Sequence, residues 1–204
     1  NFEGMGTGPI LRITEIFQSL QGEGFHAGTP AVFVRGAGCN LACDFCDTDF
    51  SLKEKLSPGE ILDRVEAIAA GARLVILTGG DPTIQPEGFR VLTALLRGRG
   101  FVVAMETNGT SQDTLGVDWV TVSPKLNHGG EWKLRRGQEL KLIYEGQDLR
   151  FFEDSEFNHY FLQPKEIRTG KFGAGERDVA ATRREWEKTA AAAPNKGDES
   201  DSDS

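Results

Sequence analysis

The chain has 204 residues, of which 38% are hydrophobic and 26% charged, a composition typical of one globular domain with its own core. The net charge of -8 argues against a protein that binds nucleic acid through a basic face. No apolar run reaches the roughly 18–20 residues of a membrane span, so we expect a cytoplasmic protein that binds neither nucleic acid nor membrane.

Composition divides the chain into three segments. Residues 1–9 are rich in glycine and are predicted to form a flexible leader, and residues 10–189 a single domain. Residues 190–204 are rich in alanine and then in acidic residues and serine, so we expect a disordered acidic tail.

Strands and helices are predicted to alternate along the domain. Apolar runs indicate strands at residues 10–17, 31–35, 74–78, 101–105, 119–122, 139–143 and 160–163. A helix is expected from Ser57, since Ser57-Pro58-Gly59-Glu60 has the form of a capping box. Further helices are predicted around an apolar face of Phe89, Leu92, Leu95 and Leu96, near 147–154, and at 176–189. This alternation predicts an α/β fold with a mostly parallel sheet.

Polar motifs follow the predicted strands at their carboxyl ends. They are the cysteine-containing loop after 31–35, Thr-Gly-Gly-Asp-Pro at 78–82, Glu-Thr-Asn-Gly at 106–109 and Ser-Pro-Lys at 123–125. Barrels and open α/β sheets bind ligands at this edge, so we expect the four motifs to meet at one site.

The only cysteines, Cys39, Cys43 and Cys46, lie within a stretch of eight residues. A structural zinc site needs a fourth ligand, and no histidine lies at finger-like spacing from them. Three thiolates can instead hold three irons of a four-iron cluster and leave the fourth iron open. The residues favour this cluster, while zinc, a set of functionless thiols and a non-catalytic electron carrier stay open as alternatives.

The cysteine spacing, Cys-x3-Cys-x2-Cys, together with the later Gly-Gly-Asp-Pro loop, resembles the radical S-adenosylmethionine (SAM) superfamily. Several motifs, in the same order over residues 10–165, resemble the 7-carboxy-7-deazaguanine synthase family more specifically. They are Ser-Leu-Gln-Gly-Glu-Gly (19–24), Ala-Gly-Cys-Asn-Leu (37–41), Cys-Asp-Thr-Asp (46–49), Thr-Gly-Gly (78–80), Glu-Thr-Asn-Gly (106–109), Ser-Pro-Lys (123–125) and Gln-Pro (163–164).

The resemblance implies an incomplete (β/α) barrel of the radical SAM type that holds a [4Fe-4S] cluster, SAM and Mg2+. In that family the reduced cluster cleaves SAM to a 5′-deoxyadenosyl radical, which abstracts hydrogen from the substrate. The substrate, 6-carboxy-5,6,7,8-tetrahydropterin, is contracted to 7-carboxy-7-deazaguanine with loss of ammonia, for queuosine and other deazapurines. The resemblance also implies a homodimer. The basic run Lys133, Arg135 and Arg136 is either a solvated turn or a docking site for an acidic one-electron donor such as flavodoxin.

The resemblance also implies roles for the residues of this chain that match the family's motifs. The cluster ligands are Cys39, Cys43 and Cys46, and the Mg2+ ligand is Thr48. The residues expected to bind SAM are Phe45, Cys46, Asp47, Gly80, Glu106, Asn108, Ser123, Pro124 and Lys125. The residues expected to bind substrate are Leu20, Gln21, Gly22, Glu23, Arg35, Thr78 and Gln163. Arg35 has the alternative of an ion pair with an acid such as Asp47, and Thr48 of a hydrogen bond to backbone.

Two features depart from the family. Asp81 stands where glutamate is more usual, and no final apolar strand can be placed after the helix that ends the predicted domain. Another radical SAM enzyme, such as a glycyl-radical activase, therefore stays open as an alternative, although such enzymes need not share the motifs that flank the cysteines.

Overall fold

The computed structural model describes residues 8–165 and 179–192. Its helices and strands follow one another in this order: β1 (Leu11–Leu20), β2 (Pro30–Gly36), β3 (Glu54–Leu56), α1 (Pro58–Ile68), β4 (Leu74–Gly79), α2 (Pro86–Gly98), β5 (Val102–Thr107), β6 (Trp119–Val122), β7 (Arg136–Tyr144), β8 (Glu156–Pro164) and α3 (Val179–Ala192). No helix in this part of the chain is long and apolar enough to cross a membrane.

The strands form one sheet in the order β3-β1-β2-β4-β5-β6-β7-β8. From β2 onward neighbouring strands are parallel, whereas β1 runs antiparallel to both β2 and β3. The two edge strands, β3 and β8, are not paired with each other in the described residues, so the barrel is open on one side. The predicted incomplete barrel with a mostly parallel sheet is confirmed.

Helices α1 and α2 cover the outer face of the sheet. α1 begins with the predicted capping box, in which Ser57 Oγ accepts from Glu60 N at 3.3 Å and Glu60 Oε2 accepts from Ser57 N at 2.7 Å. α2 buries Phe89, Leu92 and Leu96 completely. Burial of each such side chain stabilises the fold by about 1.5–3 kcal/mol, so this face anchors the strands whose ends carry the polar motifs.

The inner face of the sheet changes from apolar to polar along the strands. Its lower part, at the amino ends of the parallel strands, is a small cluster that includes Phe33, Ile76 and Trp119. Its upper part is polar because register places Arg35 beside Thr78 and Glu106 beside Thr121. Side chains alternate along a strand, so these polar groups all face the barrel interior.

The loop between β1 and β2 closes the lower end of the barrel. Leu20 pairs with Pro30, so residues 21–29 leave the sheet at the amino edge of β2. Phe25 then stacks 4.9 Å from Trp119 and lies 4.3 Å from His159, measured between ring centroids. This loop therefore crosses beneath the interior, and its polar residues enter the barrel from below.

Several boundaries differ from the sequence predictions. β1 continues to Leu20, and the short strand β3 was not predicted. The helix predicted near 147–154 is a single 3-10 turn, Leu149–Phe152. α3 continues to Ala192, so three residues of the predicted tail are helical. Residues 1–7 of the predicted leader and 193–204 of the predicted tail lie outside the described residues, and the proposed domain limits stay a prediction.

Candidate active site

A cavity of about 220 Å³ opens among the carboxyl ends of β4 to β8. Nine of the predicted site residues line it, namely Glu23, Thr48, Thr78, Gly80, Glu106, Asn108, Ser123, Lys125 and Gln163. The remaining lining residues are Gly79, Thr107, Thr121, Lys141 and Ile143. The motifs that follow β4, β5 and β6 therefore meet at one site, as predicted.

The other predicted residues lie around this cavity rather than in it. Phe45 and Asp47 line an adjoining cavity of about 280 Å³, and Gln163 belongs to both cavities. Gln21 reaches the site through its amide, which donates to Glu106 Oε1 at 3.0 Å. Leu20 is an exposed strand end that lines neither cavity.

Three further predicted residues have other surroundings. Gly22 has open space where a side chain would be, and it lines neither cavity. Pro124 lines a small cleft with Phe45 and Lys125. Arg35 faces the interior from β2, but its guanidinium donates to Glu15 Oε1 at 2.6 Å. The acid that pairs with Arg35 is thus Glu15 on β1 and not Asp47.

An ion-pair network crosses the cavity. Lys141 Nζ lies 2.7 Å from Glu23 Oε2 and 3.4 Å from Glu106 Oε1, and only 9% of the lysine side chain is exposed. Thr78 Oγ1 donates to the other oxygen of Glu106 at 3.0 Å. Burial alone would raise the pKa of Glu106, but Lys141 and the hydrogen bonds from Thr78 and Gln21 outweigh it and lower that pKa. Glu106 is therefore held ionised.

The two lysines at the site, the buried Lys141 and the partly buried Lys125, differ in their environment. Burial alone would lower the pKa of Lys141, but the carboxylates of Glu106 and Glu23 raise it well above its ordinary value. Burial also lowers the pKa of Lys125, and the charge of Lys141 lowers it further. Lys125 Nζ donates to Ser123 Oγ at 2.6 Å and lies 5.6 Å from the ring centroid of Phe45.

Sequence reasoning missed Lys141, although a signal was present. In the run Glu-Leu-Lys-Leu-Ile of β7, the charged residues Glu139 and Lys141 alternate with Leu140 and Leu142. The leucines face the outer core, so the same period of two places both charges inside the barrel. Both Glu139 and Lys141 are buried.

The cysteine loop, residues 37–53 between β2 and β3, is held to the barrel by polar contacts. Gly38 N donates to Phe50 O at 2.8 Å, which closes the base of the loop. Asn40 then bridges to the loop after β5: its Oδ1 accepts from Asn108 Nδ2 at 2.9 Å and its Nδ2 donates to Thr110 Oγ1 at 2.8 Å. Asn108, predicted to bind SAM, thus also anchors the loop that carries the cysteines.

The three cysteines are free and partly buried. Burial raises the pKa of the Cys39 and Cys43 thiols, and Lys125 acts in the opposite direction on Cys43. Cys46 raises both pKa values further through its charge. Three thiols on one loop, whose residue Thr48 lines the cavity, suit a [4Fe-4S] cluster with one open iron.

Gly80 is required by the packing of this loop. A Cβ at Gly80 would collide with the carbonyl oxygen of Gly38 and lie 2.7 Å from Cys39 Cβ. The structure shows a neighbour that already excludes a side chain, namely the cysteine loop itself.

Asp81 fixes the turn that follows Gly80. Its side chain is 2% exposed and accepts four hydrogen bonds. Oδ1 accepts from Thr83 N at 2.9 Å and Thr83 Oγ1 at 2.6 Å, and Oδ2 accepts from Thr107 Oγ1 and Asn108 N, both at 2.8 Å. The aspartate therefore joins the end of β4 to the end of β5.

A second charged cluster surrounds Phe45. His128 Nε2 lies 3.0 Å from Glu145 Oε2, and Lys165 Nζ lies 2.9 Å from Glu145 Oε1. Asp44 belongs to the same cluster, with Oδ1 at 3.6 Å from His128 Nδ1. Carboxylate and imidazole atoms meet here within 4.8 Å, but Lys165 already forms ion pairs with both Glu145 and Asp44, so ion pairing accounts for the cluster. Sequence analysis assigned no role to His128.

Comparison with known proteins identifies the class first. Residues 33–125, from β2 through the motif after β6, match the family model of the radical SAM superfamily. This class is defined by the features described above, an open parallel barrel with three cysteines in the loop that follows its first parallel strand.

Closer relatives identify the family within that class. The chain is 45% identical over 155 residues to the 7-carboxy-7-deazaguanine synthase of Bacteroides thetaiotaomicron, covering 76% of this chain and 82% of that protein. It is 38% identical over 197 residues to the enzyme of the same name from Nitratidesulfovibrio vulgaris, covering 84% and 89%. The crystal structure of QueE from Escherichia coli matches with a TM-score of 0.63 and 27% identity over 89% of this chain and 90% of that chain. The chain belongs to the 7-carboxy-7-deazaguanine synthase family.

Family membership decides between the interpretations that the cysteines left open. The cofactors of the radical SAM superfamily are a [4Fe-4S] cluster and SAM, so zinc and functionless thiols are set aside. The named relatives also favour a deazaguanine synthase over a glycyl-radical activase or an electron carrier. The predicted family and cofactor class are confirmed, while the roles of individual residues stay predictions.

Proposed function

We propose that this chain converts 6-carboxy-5,6,7,8-tetrahydropterin to 7-carboxy-7-deazaguanine with loss of ammonia, in the biosynthesis of queuosine and other deazapurines. The observation that carries the proposal is the polar cavity at the carboxyl ends of β4 to β8, directly beside the cysteine loop. When bound, the cluster and SAM would supply the hydrogen-abstracting radical. The residues of the chain then bind, orient and enclose the reactants.

The substrate is a flat heterocycle with N–H donors along one edge and a carboxylate at the other end. Glu23 and Glu106 present carboxyl oxygens to the cavity as acceptors, which suit the N–H edge. Thr78 and Gln163 line the same cavity. Arg35, next to Thr78 in register, is proposed to pair with the substrate carboxylate in place of Glu15, since a guanidinium favours such bidentate pairs.

The remaining cavity wall is proposed to hold the cofactors. Cys39, Cys43 and Cys46 would hold the cluster, and the SAM site would be formed by Phe45, Asp47, Gly80, Glu106, Asn108, Ser123, Pro124 and Lys125. Thr48 lines the cavity, and its Oγ1 lies 3.4 Å from Asp47 Oδ1. Two adjacent hard oxygen donors suit Mg2+, which commonly completes its coordination with substrate oxygens and water.

The proposed partners are an electron donor and a second copy of the chain. We propose a one-electron donor such as flavodoxin, which would approach near the basic residues Lys133, Arg135 and Arg136. These residues line a concave surface, and the loop that leads to it lies against the cysteine loop, since a Cβ on Gly130 would lie 3.1 Å from Leu41 Cδ1. A cytoplasmic homodimer completes the proposal, and free thiols suit a reducing compartment.

Product analysis tests the proposed function. Anaerobically reconstituted protein with SAM, a reductant and 6-carboxytetrahydropterin should release 5′-deoxyadenosine and 7-carboxy-7-deazaguanine. Release of 5′-deoxyadenosine without any deazaguanine would reject the substrate and keep the radical SAM class. No cleavage of SAM under any condition would reject the activity altogether.

The magnesium ligand is tested in the same assay. Thr48→Ala should abolish the stimulation of turnover by Mg2+, because it removes the hydroxyl proposed as the ligand. Thr114→Ala, at an exposed position, is the matched control and should respond to Mg2+ as the wild type does. An unchanged Mg2+ response in Thr48→Ala would show that the ligand lies elsewhere.

A further inference from the structure

Lys141 lines the cavity beside the residues proposed to bind the substrate. It extends from β7 into the cavity and is almost fully buried, yet it ends against two carboxylates from different parts of the fold. Glu23 comes from the loop that closes the barrel from below, and Glu106 from β5. A single ammonium thus joins the lower closing loop to the barrel wall at the site.

Two carboxylates that face one small cavity repel each other unless a cation lies between them. Without that cation one of them would take up a proton, because burial and a like charge both disfavour the ionised form. A protonated carboxyl then offers a donor where an acceptor is needed. Within the described residues, Lys141 is the only cation within ion-pair distance of Glu23 or Glu106.

The other charged groups around Lys141 have different partners. Glu139, two residues earlier on β7, accepts from Phe25 N at 3.2 Å in the lower loop. Lys125, which follows β6, donates to Ser123. Neither group can replace the contacts that Lys141 makes with Glu23 and Glu106.

We infer that Lys141 is a positioning residue for the substrate: its ammonium holds the carboxylates of Glu23 and Glu106 at a set separation, both as acceptors. The site then selects heterocycles that carry adjacent N–H donors on one edge, such as a 2-amino-4-oxopyrimidine. The inference rests on the proposed function, because it assigns the carboxylates to the pterin edge. It predicts rejection of a ring whose 2-amino group is replaced by a carbonyl.

Equilibrium binding to the reconstituted full-length protein with SAM tests this role. The probes are 6-carboxypterin, the oxidised analogue with the same N–H edge, and 6-carboxylumazine, which has a carbonyl in place of the 2-amino group. Lys141→Met should weaken binding of 6-carboxypterin by about tenfold or more, the loss expected for a charge-assisted acceptor. It should also reduce the preference of the site for the pterin over the lumazine.

The pH dependence separates positioning from a merely structural role. In the wild type the affinity for 6-carboxypterin should be nearly constant between about pH 6 and pH 7.5, well above the ordinary pKa of a carboxyl group. In Lys141→Met the lysine no longer lowers the pKa of Glu106, so that pKa is expected to rise and the affinity should fall as the pH is lowered. Lys188→Met, which removes an exposed lysine of α3 outside the cavity, is the matched control and should leave both measurements unchanged.

The outcomes are distinct. If Lys141→Met binds both probes as the wild type does, at both pH values, the inference is wrong while the proposed function stands. If the wild type neither binds 6-carboxypterin nor forms deazaguanine, the proposed function fails. Should Lys141→Met not fold, the variant E106Q/K141M removes both charges of the buried pair, and wild-type affinity for the pterin in that variant would overturn the inference.

Discussion

Replacement of Gly80 by alanine is the sharpest test of how the cysteine loop is held. The new Cβ would collide with the carbonyl oxygen of Gly38 and come within 2.7 Å of Cys39 Cβ. The first of these neighbours is backbone, which cannot rotate away as a flexible side chain could. The collision can be relieved only if the cysteine loop moves away from the end of β4.

The size of the effect follows from this geometry. Overpacking of a tight site costs about 1–3 kcal/mol, and the backbone neighbour places Gly80→Ala near the upper value. For a domain of this length, about 3 kcal/mol lowers Tm by roughly 6–12 °C. Movement of Cys39 should also lower the iron bound after reconstitution. Thermal unfolding of the cluster-free protein and iron analysis measure the two effects separately.

Gly98→Ala provides the control. Gly98 lies at the exposed end of α2, and a Cβ there meets nothing within 4 Å. Alanine at this helical position should be neutral or stabilise the protein by up to about 1 kcal/mol. If Gly80→Ala matched Gly98→Ala in both Tm and iron content, the cysteine loop would not depend on close packing against Gly80.

Three other predictions concern stability. Asp81→Asn replaces one carboxylate oxygen by an NH2 group that faces two of the four donors, and it should cost about 1–3 kcal/mol in urea unfolding; an unchanged midpoint would contradict the role of Asp81 in joining β4 to β5. The pKa of Glu106 is lowered in the folded state. Its ionised form therefore adds to the free energy of unfolding above the unfolded pKa of about 4.3, and this contribution is lost as the pH falls. Glu106→Gln should therefore differ from wild type in unfolding free energy more at pH 7 than near pH 4, whereas an equal difference would refute the ionised state. Ser57→Ala should lower the free energy of unfolding by about 1 kcal/mol, because it removes the capping box at α1; an unchanged value would contradict this role of Ser57.

Local features of this protein were readable from its residues. The start of α1 depends on Ser57 and Glu60, three positions apart, and the cysteine triplet lies within one loop. The meeting of three polar motifs at one cavity was also predictable, because the carboxyl ends of parallel strands lie at the same edge. Such features depend on neighbours in sequence or on a general rule of α/β folds, so they need no knowledge of register.

The partners of individual charges could only be found in the folded protein. Arg35 meets Glu15 because β1 runs antiparallel beside β2 in a particular register. Lys141 meets Glu23, 118 residues earlier, because the β1–β2 loop crosses beneath the barrel and reaches the strands on its far side. The period of two in β7 indicates that Lys141 points inward, but not what it faces. The motifs and their order, through their resemblance to a known family, thus predicted the class of protein and its cofactors. Strand register and the path of one loop decided which side chains form the site, because those contacts join residues far apart in the chain.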